Sequence, residues 1–188
     1  MAALRMRGNV LVVCTGNVCR SPYLERVLRD QLGGTGITVT SAGTGALVGR
    51  PMDVEARRAL AREGIDAEGF IARQLEPDLV ASADLVITAT RDHRSAVVQL
   101  LPRAVRRVFA LTDLADLLDG ARVRPAPNPV GEVVRAASAN RSSVMPRAAS
   151  DADVIDPYRR GPDVFAQAAQ QVHASLPPIV DALRRAST

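Results

Sequence analysis

The sequence predicts an α/β fold, a small parallel sheet with helices on both faces. Short apolar runs at residues 9–13, 37–40, 84–88 and 107–110 read as strands buried on both sides. Each is followed by, or separated from the next by, a stretch with helical spacing, and such alternation closes a parallel sheet through helical crossovers. The chain of 188 residues, 47% hydrophobic, is long enough for one domain (residues 1–188) with a real core. Aromatics are only 3% and Trp is absent, so Ala, Val, Leu and Ile must fill that core.

Taken in order, the first strand runs into a turn, and residues 10–22 read VLVVCTGNVCRSP. A helix follows over residues 23–32, with Leu24, Val27, Leu28 and Leu32 on one face and Gly33-Gly34 as its stop. The next helix, to Arg62, takes Asp53 as its cap, turns Ala56, Ala59 and Leu60 inward and ends at Gly64. Further helices are predicted over 75–81, 92–101, 111–118 and 162–174. Residues 123–150 break the rhythm: rich in Ala, Pro, Ser and Arg, with Pro125, Pro127, Pro129 and Pro146 and little periodicity, they are predicted to be disordered. The Pro177-Pro178 pair predicts a C-terminal helix in two pieces.

In a sheet of this kind ligands sit beyond the carboxyl ends of the strands, and the turn after residue 13 occupies such an end. Successive backbone N–H groups of a strand-turn-helix, together with the helix dipole, bind a tetrahedral anion and stabilise a thiolate. A thiol at a helix N-terminus beside a cation ionises at roughly pH 3.5 to 7.5, which makes Cys14 a nucleophile. Thr15, Gly16, Asn17, Val18, Cys19 and Ser21 form the phosphate-binding turn. Gly16 is expected to take a positive φ, and Asn17 a left-handed position from which it bonds its own loop. Arg20 grips two oxygens of a phosphoryl group with its planar fork. Ser21 caps the helix, hydrogen-bonds the thiolate or eases its departure, and Pro22 fits the first helical turn. A strand-end cysteine taken alone is usually a small buried hydrophobe. The joint pattern of strand, glycine-bearing turn, Arg-Ser and Pro outweighs that reading.

The net charge of +4 comes entirely from arginines scattered along the chain, with few aromatics to stack on bases, so no specific nucleic-acid partner is expected. Two cysteines make no disulfide framework, no apolar run is long enough to span a membrane, and MAALRMRGN lacks the apolar core of a signal peptide. A cytoplasmic, reducing location is expected. There Cys19 is either a packing residue or the partner of Cys14 in a reversible protective disulfide. His93 and His173 lack ligand spacing and read as surface helix residues, so no metal or cofactor is called for.

CTGNVCRSP, with SAGTGALVG (residues 41–49), IARQ (71–74), ADLVITAT (83–90) and DPYRRG (156–161), resembles the low-molecular-weight protein tyrosine phosphatases of bacterial type. The resemblance covers most of the chain except residues 122–153, which then read as a flexible insertion. It implies a flavodoxin-like fold and a cofactor-free phosphoric monoester hydrolase acting through a phosphocysteine. It marks Asp156 as the proton donor: a phenolate leaving group calls for one, and repulsion from the bound dianion keeps this carboxyl protonated. The catalytic set is then Cys14, Arg20 and Asp156. Leu47, Val48 and Tyr158 are implied at the substrate rim, and Val18 matches tyrosine-directed members rather than the threonine of arginine-phosphate relatives. The implied partner is a phosphotyrosine-bearing protein, with a tyrosine autokinase of polysaccharide export as one such substrate. Phe70 stands where many relatives carry a histidine that braces the loop through Asn17 and Ser41, which puts that bracing in doubt. A thiol-coupled arsenate reductase and a protein-arginine phosphatase are the alternatives on the same scaffold.

Overall fold

The computed structural model describes residues 7–188. Residues 1–6, most of the stretch read as lacking a signal peptide, lie outside the described residues. Among the described residues one sheet forms from β1 (Asn9–Cys14), β2 (Thr38–Gly43), β3 (Leu85–Thr88) and β4 (Val108–Ala110), in the order β2-β1-β3-β4. Every pairing is parallel, with Cys14 opposite Gly43 and Val13 opposite Thr88. The connections leave β1 toward β2 on one side and reach β3 on the other, so a crevice opens beyond the carboxyl ends of β1 and β3.

Side-chain alternation along the strands divides the core in two. Val10, Val12, Leu85, Ile87 and Phe109 face one side, and Leu11, Val13, Val86 and Val108 the other. The first side is covered by α1 (Arg20–Gln31), α2 (Val54–Arg62), α5 (Leu111–Leu118) and α8 (Gly161–Ser187). The second is covered by α3 (Pro77–Ser82) and α4 (Arg91–Leu100). A 3₁₀ turn over Pro102–Arg107 leads into β4. Asp53 caps α2 as expected, accepting a hydrogen bond from Glu55 N at 3.0 Å.

The stretch expected to be disordered is not structureless. It contains α6 (Pro129–Ala139), which packs on α5 and α8, and a short α7 (Ala149–Ala152). Asn128 caps α6 by accepting from Gly131 N at 2.9 Å, and Pro129 fits the first turn because its missing N–H would have had no helical acceptor. Val130, Val133 and Ala137 are fully buried, and a Cβ on Gly8 would come within 2.6 Å of Val130 Cγ2. The helix has only one apolar stripe among many small residues, so its period was hidden by the surrounding prolines.

The C-terminal helix is likewise not split: α8 runs unbroken through Pro177 and Pro178. Proline's fixed φ is helical, so the local cost is the lost donors for the carbonyls of His173 and Ala174 and the crowding of those carbonyls by the two rings. Burial of Leu176, Ile179, Val180 and Leu183 on both sides of the pair holds the helix against the core.

Truncating Val133 to Ala removes two buried methyl groups from the α6 contact and is expected to cost about 2 kcal/mol of unfolding free energy, measurable by urea denaturation. A change within a few tenths would mean that α6 does not dock.

Candidate active site

The turn after β1 is stitched from outside. The carbonyls of Cys14, Thr15, Gly16 and Val18 accept from the amides of Thr44, Gly45, Leu47 and Asp53, at 2.9, 3.1, 2.9 and 2.8 Å. With these carbonyls turned outward, the amides of residues 16–19 make no backbone hydrogen bond among the described residues, which leaves donors for an anion. The approach of the two segments is so close that a Cβ on Gly43 would lie 2.3 Å from Thr15 O. Glycine is required there, and the sequence reading had not singled it out. Conversely, Gly16 does not take the positive φ expected of it, whereas Asn17 does, at 54°. A Cβ at Gly16 would touch Val18 and Leu47 at ordinary distance and crowd the opening.

Cys14 Sγ sits at the base of this turn, 3.0 Å from Ser21 Oγ. Of the roles considered for Ser21, the structure displays the hydrogen bond to sulfur; no side chain caps α1, whose cap residue is Cys19. Cys14 and Cys19 are both free thiols. Burial, then the Asp53 carboxylate, pushes the Cys19 thiol well above its ordinary 9.0, so it stays protonated and packs.

Arg20, buried at the start of α1, donates to Val154 O at 3.1 Å and pairs with Asp156 Oδ2 at 3.0 Å. Asp156 is half exposed, and its other oxygen accepts from Tyr158 N at 3.2 Å. The segment carrying it is anchored over β3 by Val154 N donating to Ala89 O at 2.9 Å. Cys14, Thr15, Gly16, Val18, Cys19, Arg20, Asp156, Leu47 and Tyr158 all line one cavity of about 160 Å³. Val48 does not line it and projects outward, 66% exposed. A cavity of about 790 Å³ beside α6 is far larger, but Arg, Glu, Asn and small side chains line it, with no nucleophile among them.

The sequence model of the family described as low molecular weight phosphotyrosine protein phosphatase matches residues 9–127. The chain belongs to this family. It is 39% identical over 102 residues to the low molecular weight protein-tyrosine-phosphatase Etp of Escherichia coli K12, an alignment covering 54% of this chain and 67% of Etp. Wzb of the same strain is 40% identical over 104 residues, 55% of this chain and 69% of Wzb. Among solved structures, Wzb of Vibrio vulnificus in complex with benzylphosphonate superposes with a TM-score of 0.68 at 26% identity, covering 93% of this chain and 97% of that one. The match of the family's sequence model stops short of Asp156, whereas the structural likeness covers nearly the whole chain.

In this phosphatase the bracing put in doubt by Phe70 is complete without a histidine. Asn17 Nδ2 donates to Ser21 Oγ and Ser41 Oγ, both at 2.9 Å. Ser41 Oγ donates in turn to the buried Glu25 Oε2 at 2.6 Å. Arg73 N donates to Asn17 Oδ1 at 2.9 Å and Arg73 Nε to Ser41 O at 2.8 Å. Phe70 instead packs in the core. Glu25 and Arg73 were missed as loop supports; the one available signal was an acid next to the apolar face of the first helix.

His93 is also not the surface residue expected. It is buried, with Nε2 2.8 Å from Thr15 Oγ1 and Nδ1 2.7 Å from Thr90 Oγ1, and so links α4 to the residue after Cys14. His173 does lie on the outer part of α8, but its Nε2 meets the buried Tyr23 hydroxyl at 2.8 Å. Burial, then the Arg20 charge, pushes the His93 imidazole down from 6.5 to about 4. The unfolded chain therefore takes up a proton near pH 6.5 that the folded phosphatase refuses until about pH 4, and acidification across this window favours unfolding. Stability is expected to fall by roughly 3 kcal/mol between these limits from this group. Melting curves of the wild type and His93→Gln across that range check it, since the variant should lack this component.

Proposed function

We propose that the chain is a protein tyrosine phosphatase in which Cys14, Arg20 and Asp156 carry the reaction. The observation that carries this reading is the convergence, in one small cavity, of a sulfur hydrogen-bonded to Ser21 and an Arg20–Asp156 pair 3.0 Å apart. The Cys14 thiolate attacks phosphorus in line, forming an S–P bond as the P–O bond to the aryl group breaks. Arg20 and the loop amides hold the three transferring oxygens. The entering dianion takes over the Arg20 fork and releases the Asp156 carboxylate, which takes up a proton from solvent beside the dianion and passes it to the departing phenolate. Asp156, now a carboxylate, draws a proton from water as that water attacks phosphorus; phosphate leaves and the sulfur returns as thiolate, with Ser21 Oγ beside it.

Leu47, Val18 and Tyr158 form the apolar walls that suit a flat aryl ring, and the substrate is a phosphotyrosine-bearing protein. A tyrosine autokinase is the partner suggested by the resemblance of GALVG (residues 45–49) to bacterial members of the family. YwlE arginine phosphatase from Geobacillus stearothermophilus shares the fold at 24% identity and a TM-score of 0.71, which speaks to the fold alone.

Cys14→Ser is expected to abolish turnover of an aryl phosphate. Asp156→Ala should slow substrates with poor leaving groups by 10²-fold or more, on the order expected of an acid catalyst, and good leaving groups much less. Steady-state kinetics over a series of substituted phenyl phosphates reads this out, and equal slowing across the series would remove Asp156 from the role. Phosphotyrosine, phosphoarginine and arsenate compared side by side test the substrate class.

A further inference from the structure

A second cavity, of about 520 Å³, opens where α4, the end of β4, α5 and residues 141–146 meet. Three arginines, Arg91, Arg94 and Arg141, and two aspartates line it, and the acids are already taken. Arg91 forks onto Asp113, with Nε to Oδ2 at 3.0 Å and Nη2 to Oδ1 at 2.7 Å. Arg147 forks onto Asp116 with both contacts at 2.6 Å. This leaves Arg94 and Arg141, neither of which forms an ion pair among the described residues.

Each of these two guanidiniums is nonetheless held in place. Arg94 Nε donates to Val108 O at 3.0 Å, on β4, the strand at the sheet edge. Arg141 lies over the Phe109 ring, 4.7 Å from its centroid. Their remaining N–H groups are thus partly positioned, which lowers the entropic cost of holding a ligand, and the two charges repel. Burial, then the Arg94 charge, pushes the Arg141 guanidinium below its ordinary range. Apart from Ser95, the rest of the lining is apolar, with Leu117, Val144 and the 88% exposed Met145 along one side.

We infer that this cavity is a second, non-catalytic anion site that takes a phosphate monoester on an apolar body, such as an aryl phosphate, between Arg94 and Arg141. A dianion relieves the repulsion of both guanidiniums, which a carboxylate does only in part, and planar forks suit phosphoryl oxygens. The exposed thioether and aliphatic groups pack against the organic part. The turn of α4 that presents His93 to Thr15 also presents Arg94 here, so the two sites share one helical turn. The ligand is a free aryl phosphate or a second phosphorylated side chain of the substrate.

Calorimetric titration of the full chain with phenylphosphonate tests the site without depending on turnover. Two binding sites per chain are expected. Arg141→Ala and Arg94→Met should each weaken one of them roughly tenfold or more while leaving the other, and kcat on a small aryl phosphate, unchanged. Arg141→Gln, which keeps the stem over Phe109, should weaken it similarly. A single site in the wild type, or two sites unaffected in the Arg94→Met/Arg141→Ala double variant, overturns the inference. Loss of the catalytic reading would appear separately, as absence of aryl phosphatase activity. Peptides with one and two phosphotyrosines separate the sources. A lower KM for the doubly phosphorylated peptide that vanishes in the variants assigns the site to substrate; equal KM values with phenylphosphonate still bound assign it to a free ligand.

Discussion

The rest of the site depends on a backbone constraint: the carbonyls of the Cys14 turn are bonded from outside by residues 44–53. A short turn can present its amides inward only if its oxygens find partners elsewhere, because buried backbone acceptors left unpaired cost more than a turn can offset. Parallel pairing of β1 with β2 places those partners, and Gly43 allows the two chains to approach. The fold thus reaches the anion pocket through its hydrogen-bond pattern before any charged side chain is considered. Arg20 then adds charge to a cradle that is already shaped.

A second tier of side chains holds the cradle rigid. Asn17 is kept in a left-handed conformation by bonds reaching α1, β2 and the backbone of Arg73, so strain in one residue is offset by three separate segments. Glu25 closes this network on the inner side, and His93 ties the opposite side to α4 through Thr15. Burial of His93 in that contact favours its neutral imidazole, which couples loop geometry to folding stability.

Much of this was legible in the residues. The strand, turn and helix at 10–22 carry local signals: an apolar run, a left-handed Asn, and Pro in the first helical turn. They fold locally, so they read locally. Asp53 as a cap is legible for the same reason. What stayed hidden depends on contacts between distant segments. His93 looks like any helix histidine until β1 brings Thr15 beside it. Gly43 matters because of Thr15, which is far away in sequence. The α6 segment looks like low-periodicity linker because its burial is set by α5 and α8, and α8 survives two prolines because the core on each side holds it. Gly16 misled for the opposite reason: a glycine in a turn suggests backbone freedom, and here its lack of a side chain keeps the pocket open.

The resting contact between Arg20 and Asp156 also has a bearing on discrimination among solutes. With one carboxylate oxygen already on the guanidinium, the pocket carries its own internal competitor on a neighbouring segment. Common monovalent ions must outbid it with a single charge and few oxygens, whereas a phosphoryl group brings two charges and three oxygens to both the guanidinium and the amides. A doubly charged group with three oxygens displaces this carboxylate more readily than a singly charged ion does.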